Sequence, residues 1–122
     1  MIVIDTSVWN LHFRRGCDQS PLIDAKVRDG EVYLHSMVLT ELIIGGISGS
    51  REIALREDCA FLPASPDTEV VAFIRAHQKG IRGVGLVDVH VVYAALAVGA
   101  EALWTADEGM KELFSRFSPP QQ

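Results

Sequence analysis

The stretch Met1-Ile2-Val3-Ile4-Asp5-Thr6-Ser7 decides the fold, because its apolar run stops abruptly at a carboxylate and two hydroxyl groups. Such a run is typical of a strand buried on both faces, as in a parallel sheet covered by helices. The residue after the strand then lies at the carboxyl edge of the sheet, where open α/β folds bind their ligands. We therefore expect Asp5 to lie in a cleft. The alternative is that Asp5, Thr6 or Ser7 only caps the next helix.

The length of 122 residues predicts one domain, placed over residues 1–117, with a disordered tail over residues 118–122. No apolar stretch reaches the roughly 18 residues of a membrane-spanning helix. The N-terminal strand also lacks the basic and then apolar pattern of a secretion signal. These features predict a cytoplasmic protein with no membrane partner.

The formal net charge of −5 argues against a broad basic surface that holds nucleic acid non-specifically. It does not exclude a nuclease, because divalent ions reverse the sign of the field inside an acidic cleft. Cys17 and Cys59 lie far apart and outside any Cys-x-x-Cys pair, so we interpret them as ordinary thiols.

Two predicted helices carry a carboxylate where a charge requires an explanation. Glu41 interrupts a helix over residues 37–44 that is apolar nearly all round, and such a helix is buried or contacts a partner. Asp88 lies in the first turn of a second apolar helix, over residues 86–98. The alternatives are that Glu41 occupies the one exposed stripe and that Asp88 interacts with the helix dipole.

The end of the chain repeats the pattern of its beginning. Residues 102–105 predict another buried strand, which is followed by Asp107 and a helix over residues 108–117. Between these ends we predict helices over residues 8–15, 20–29, 50–60 and 66–79, and short strands at 32–34 and 61–62. Ser20 and Ser36 are the predicted caps of the helices that follow them.

Asp5, Glu41, Asp88 and Asp107 thus form a candidate catalytic quartet. Oxygen ligands without a cluster of His or Cys are typical of sites for Mg²⁺ or Mn²⁺. Such an ion can generate hydroxide from water and neutralise charge on a phosphodiester in its transition state. Three arginines are candidate phosphate contacts: Arg14 and Arg15, near Asp5 in sequence, and Arg82, in the glycine-containing segment 80–85.

The ordered motifs resemble those of the PIN-domain ribonucleases, and among them the VapC-like toxins of toxin–antitoxin pairs. The motifs are Ile4-Asp5-Thr6-Ser7-Val8-Trp9, Thr40-Glu41-Leu42, Asp88 before an alanine-rich helix, and Trp104-Thr105-Ala106-Asp107. The resemblance implies a three-layer α/β/α domain around a short parallel sheet and a Mg²⁺- or Mn²⁺-dependent endoribonuclease. It places the acidic positions at the quartet and supporting hydroxyl groups at Thr6 and Thr105. It also implies an RNA substrate, a homodimer and a cognate antitoxin.

Three alternatives remain at this point. A phosphoacceptor receiver domain requires an adjacent acidic pair after the first strand, whereas Asp5 stands alone. A haloacid-dehalogenase-type phosphatase requires Asp-x-Asp there, and Thr6-Ser7 breaks that pattern. The third is a catalytically silent PIN fold that acts by binding.

Overall fold

The computed structural model describes residues 1–118, in which eight helices surround a four-stranded sheet. The strands are β1 (Ile2–Ile4), β2 (Val32–Leu34), β3 (Ala60–Phe61) and β4 (Ala102–Trp104). The helices are α1 (Thr6–Arg14), α2 (Ser20–Arg28), α3 (Ser36–Ile44), α4 (Gly49–Asp58), α5 (Asp67–Ala76), α6 (Gln78–Ile81), α7 (Leu86–Ala97) and α8 (Glu108–Phe117). The predicted three-layer α/β/α architecture is confirmed. The predicted tail, apart from Ser118, lies outside the described residues.

Strand β1 occupies the interior of the sheet, as its apolar sequence predicts. The strand order is β3-β2-β1-β4 and every pairing is parallel. Ile2 is in register with Val32 on one side and with Ala102 on the other. Val3 and Ile4 have no exposed surface, because the sheet is covered on both faces.

The strand order creates a switch point between β1 and β4. From β1 the chain first builds β2 and β3 on one side, and then returns to add β4 on the other. In open α/β sheets, ligands bind outside the carboxyl ends of the strands at such a point. Asp5 follows β1 directly, and Asp107 lies three residues beyond the end of β4. The topology therefore places these two carboxylates on the two sides of the crevice.

Several predicted helix boundaries are wrong for identifiable reasons. Ser20 does not cap α2, because its hydroxyl group contacts His12 at 2.8 Å and accepts the N–H of Cys17 at 2.9 Å. Helix α3 begins one residue early, at Ser36, and His35 is its N-cap, accepting the N–H of Met37 at 3.0 Å. The helix predicted over residues 66–79 is divided at His77.

The apolar helices are mostly buried within the chain itself. Val38 and Leu42 of α3 have no exposed surface, and Trp9 of α1 is only 1% exposed. The Trp9 side chain is therefore covered by the chain itself. Ile43 and Ile44 at the end of α3 do remain exposed, at 42% and 81%. In residues 1–118 we find no helix with the length and apolar character needed to span a membrane.

Candidate active site

Asp5 is a buried carboxylate held by hydroxyl groups. It is 4% exposed, and its Oδ2 accepts hydrogen bonds from Thr105 at 2.8 Å and from Ser7 at 2.9 Å. Although Asp5 is the N-cap residue of α1, its side chain makes no capping hydrogen bond. The capping alternative therefore fails for Asp5, since its carboxylate is fixed by side chains.

Asp107 is linked to Asp5 through a single threonine. The Thr105 hydroxyl group that donates to Asp5 also accepts the backbone N–H of Asp107 at 3.0 Å. Asp107 itself caps α8, because its Oδ1 accepts the N–H of Met110 at 2.9 Å. Capping occupies one carboxylate oxygen and fixes the side chain beside the end of β4.

Glu41 is brought to the start of α1 by Thr6. The Thr6 hydroxyl group donates to Glu41 Oε1 at 2.7 Å, and the side chain of Glu41 is only partly exposed. The two residues lie on α1 and α3, which pack against each other. Glu41 therefore does not simply occupy a solvated stripe; one of its oxygens is fixed next to the residue that follows Asp5.

The pKa of Asp88 is affected by the other three carboxylates. The pKa of Asp88 is raised to about 6, first by burial and then by the negative charges of Asp5, Asp107 and Glu41, in that order. Asp88 lies in the first turn of α7, whose N-cap residue, Gly85, has no side chain to cap with. Because like charges raise a carboxyl pKa mainly at short range, the charges of Asp5, Asp107 and Glu41 act on Asp88 from the same end of the sheet.

The quartet has no ion-pair partner within the part of the chain described. In residues 1–118 none of the four carboxylates forms an ion pair with Lys, Arg or His. Nor do any three His, Cys, Asp or Glu side chains in those residues already form a ligand shell. Mg²⁺ suits this arrangement, since it keeps several waters and binds few carboxylates directly. The donor set of oxygen atoms, with a surplus of negative charge, therefore fits Mg²⁺ or Mn²⁺.

Ser7 is a supporting residue that the sequence did not single out. Its hydroxyl group donates to Asp5 and accepts the backbone N–H of Ala106 at 3.0 Å, so it joins the ends of β1 and β4. Its position two residues after Asp5 in an α/β fold could have indicated this role, because a hydroxyl group there faces the end of the neighbouring strand. Thr6 and Thr105, which were predicted, contact Glu41 and Asp5 respectively.

The three candidate arginines lie on two different surfaces. Arg14 and Arg15 line a groove of about 450 Å³ together with Ser7, which contacts the quartet. Arg82 lines another groove, of about 520 Å³, with Lys79. All three side chains are exposed. The structure thus places Arg14 and Arg15 in a groove that reaches Ser7, and it places Arg82 in a different groove.

Comparison with known proteins agrees with this geometry. The sequence profile of the PIN domain family matches residues 2–114. The chain is 31% identical over 113 residues to Ribonuclease VapC32 of Mycobacterium tuberculosis, strain CDC 1551 / Oshkosh, covering 91% of this chain and 88% of the relative. Ribonuclease VapC32 of strain ATCC 25618 / H37Rv gives the same values. The chain therefore belongs to the PIN domain family, as a VapC-like member.

Proposed function

We propose that this chain, as a single domain over residues 1–117, is a Mg²⁺- or Mn²⁺-dependent endoribonuclease and the toxin of a toxin–antitoxin pair. The observation that carries the proposal is the arrangement at the switch point of the sheet, where Thr105 and Ser7 hold the buried Asp5 carboxylate. There the pKa of Asp88 is raised first by burial and then by the charges of the other three carboxylates. Four negative charges that form no ion pair in residues 1–118 are destabilising unless a cation offsets them. The similarity to Ribonuclease VapC32 supports RNA as the substrate.

The quartet Asp5, Glu41, Asp88 and Asp107 holds the ion. When bound, the ion supplies a water of lowered pKa and a positive charge that offsets charge developing on the phosphodiester. The protein residues supply the geometry. Thr105 and Ser7 orient Asp5, and Thr6 orients Glu41. These hydroxyl groups fix the carboxylates before substrate arrives, so little reorganisation is needed during the reaction.

Arg14 and Arg15 are the proposed phosphate contacts nearest to the site. Their groove shares Ser7 with the acidic cluster, so a phosphate bound there lies next to the quartet. Two exposed guanidinium groups offset part of the repulsion between an acidic protein and a polyanion. Arg82 is proposed to contact the substrate farther from the scissile bond.

The proposed protein partners are a second copy of this chain and a cognate antitoxin. Ile43 and Ile44 form an exposed apolar end of α3, and Ile44 in particular is 81% exposed. Covering such side chains in a homodimer removes apolar surface from water. An antitoxin is expected to place a basic side chain near the acidic quartet, since the quartet has no cationic partner within residues 1–118.

The test is incubation of the purified protein with total RNA, in Mn²⁺ or in chelator. Asp5→Asn and Asp88→Asn are the test variants, and Asp18→Asn, which neutralises an exposed carboxylate between α1 and α2, is the matched control. We expect cleavage only with the metal ion, in wild type and Asp18→Asn. RNA binding without cleavage under all conditions would instead favour a silent binding protein. Full activity in chelator would exclude the metal-dependent mechanism.

A further inference from the structure

The segment over residues 70–87 has a charge opposite to that of the whole protein. It contains no Asp or Glu, but it carries Arg75, Lys79 and Arg82, in a chain whose formal net charge is −5. It ends immediately before Asp88, a member of the quartet. Positive charge is therefore concentrated in the segment that leads into α7, although the chain as a whole is acidic.

These cations line two adjacent grooves. The first, of about 500 Å³, is lined by residues 75–80 together with Arg116 and Phe117 of α8. The second is the groove of about 520 Å³ that contains Arg82. Both include Gln78 and Lys79, so one continuous surface leads from Arg116 to Arg82. We call this surface the basic groove and define it by Arg75, Lys79, Arg82 and Arg116.

Aromatic rings lie at the Arg116 end of the basic groove. The ring centroid of His77 is 4.3 Å from that of Phe117 and 5.0 Å from that of Phe73. His77 and Phe117 both line the first groove and are only partly buried. A positively charged groove with aromatic rings is the usual means of binding single-stranded nucleic acid, because bases stack on the rings while cations follow the phosphates.

Gly80 makes room for one of the cations. A Cβ atom at position 80 would collide with the guanidinium group of Arg116. The backbone of Gly80 does not have a positive φ, so the position does not require glycine for its conformation. Arg116 also contacts Glu112 at 3.3 Å, but an exposed i,i+4 pair of this kind contributes little to stability.

The basic groove adjoins the acidic site through the loop before α7. Val84 in this loop lies 3.4 Å from the position of a Cβ atom at Gly109, two residues beyond Asp107. The N–H of Val84 donates to the carbonyl group of Ile81 at 2.8 Å, which ties the loop to α6. The chain that leaves the basic groove therefore reaches the N-terminal end of α8, next to Asp107.

We infer that the basic groove binds the phosphate backbone of single-stranded RNA beyond the scissile bond, with His77 and Phe117 as a stacking surface for a base. This inference rests on the proposed ribonuclease function and extends it to the surface of the protein that the substrate contacts outside the acidic site. Base stacking on these rings requires unstacked bases, which single strands and loops provide and the A-form duplex does not. The groove supplies the positive charge that the net charge of the protein lacks.

The experiment measures binding, so it does not depend on cleavage. The full chain is titrated into a fluorescently labelled single-stranded RNA oligonucleotide in chelator, at several salt concentrations. Arg116→Gln and Lys79→Gln are compared with Arg56→Gln. Arg56 is the matched control because it also forms an exposed i,i+4 pair, at 3.0 Å from Glu52 on α4. Gly80→Ala, which displaces the Arg116 guanidinium group and keeps its charge, is a fourth variant.

We expect Arg116→Gln, Lys79→Gln and Gly80→Ala each to weaken binding several-fold, and Arg56→Gln to leave it unchanged. Each lost phosphate contact should reduce the slope of log K against log salt concentration by about 0.7. Glu112→Gln releases Arg116 and should strengthen binding. The equivalent Glu52→Gln change, which releases Arg56, should not.

Equal losses in Arg116→Gln and Arg56→Gln would overturn the inference, because they would mean that net charge alone governs binding. An unchanged salt slope in all groove variants would overturn it as well. A parallel titration with polyglutamate tests whether the groove binds an acidic protein instead. Groove variants that lose binding to polyglutamate but not to RNA would also overturn the inference. Failure of the proposed nuclease is a separate result, seen as RNA binding without metal-dependent cleavage.

Discussion

Thr105 and Asp5, one hundred positions apart in the sequence, are joined by a hydrogen bond of 2.8 Å from the threonine hydroxyl group to the carboxylate. The same hydroxyl oxygen accepts the N–H of Asp107 at 3.0 Å. One side chain thus positions a carboxylate at the end of β1 and the backbone at the end of β4. Its burial means that water cannot replace either hydrogen bond.

Thr105→Val should therefore destabilise the protein by about 1–3 kcal/mol, the scale for leaving buried polar groups without partners. It should also reduce RNA cleavage, because Asp5 loses a donor that orients it. Thr105→Ser, which keeps the hydroxyl group, should retain most of the stability and most of the cleavage activity. Chemical denaturation and a cleavage assay measure the two effects. The control is Thr40→Val, which removes an exposed hydroxyl group and should change stability by less than about 0.5 kcal/mol. A harmless Thr105→Val would contradict the positioning role.

Thr6→Val separates orientation from stability. Thr6 and Glu41 are only partly buried, so losing their hydrogen bond of 2.7 Å should change the free energy of unfolding by less than about 1 kcal/mol. Cleavage should fall by about 10-fold or more, the range for residues that orient metal ligands. Thr6→Ser should restore it. Activity at the wild-type level in Thr6→Val would show that Glu41 needs no such support.

The pH dependence of stability follows from Asp88. Its pKa is raised from 3.8 to about 6 in the folded protein, first by burial and then by the neighbouring charges. The folded protein therefore binds a proton at Asp88 more tightly than the unfolded chain does. The resulting contribution to the free energy of unfolding is fully present below about pH 4 and is lost as the pH rises through about 6. After allowance for solvent screening, the loss should be about 1 kcal/mol.

The measurement is the free energy of unfolding in chelator between pH 4 and 7.5, for wild type and Asp88→Asn. Other titrating groups contribute to both proteins and cancel in the difference. The wild type should lose stability relative to the variant as the pH rises. A difference that does not vary with pH would mean that neither burial nor the other carboxylates raise the pKa of Asp88.

The dimer prediction depends on the exposed end of α3. Ile44→Glu should weaken self-association, because it places a charge in the apolar surface that a second copy would cover. Leu22→Glu is the control, since Leu22 of α2 is also exposed, at 50%. Sedimentation velocity at tens of micromolar protein measures the effect. A wild-type protein that sediments as a monomer at that concentration would exclude the proposed homodimer.

The sequence predicted the sheet and the positions of the acidic residues because both follow from short-range patterns. An apolar run that ends at Asp5 defines a buried strand, and its repetition before Asp107 defines a parallel partner. Parallel strands bring their carboxyl ends to one edge, so the proximity of these two residues needed no coordinates. The family resemblance was confirmed by the match to the PIN domain over residues 2–114.

What the sequence could not predict depends on contacts between distant segments. The break between α5 and α6 occurs where the His77 ring packs against Phe117, forty positions later, and no local signal marks it. Ser20 has the sequence of a helix cap, but His12 and the N–H of Cys17 engage its hydroxyl group instead. The supporting role of Ser7 likewise depends on the backbone of Ala106.

The central claim is that four carboxylates form one cation site, and the melting temperature of Asp88→Asn tests it most directly. Wild type, Asp88→Asn and the control Asp18→Asn are each melted in chelator and in millimolar Mn²⁺. In chelator, Asp88→Asn should be as stable as wild type or more stable, by about 1 kcal/mol, because one repelling charge is removed. Mn²⁺ should reverse the order, since it binds the folded quartet and stabilises wild type by mass action. An Asp88→Asn protein that is equally destabilised in chelator and in Mn²⁺ would contradict the account.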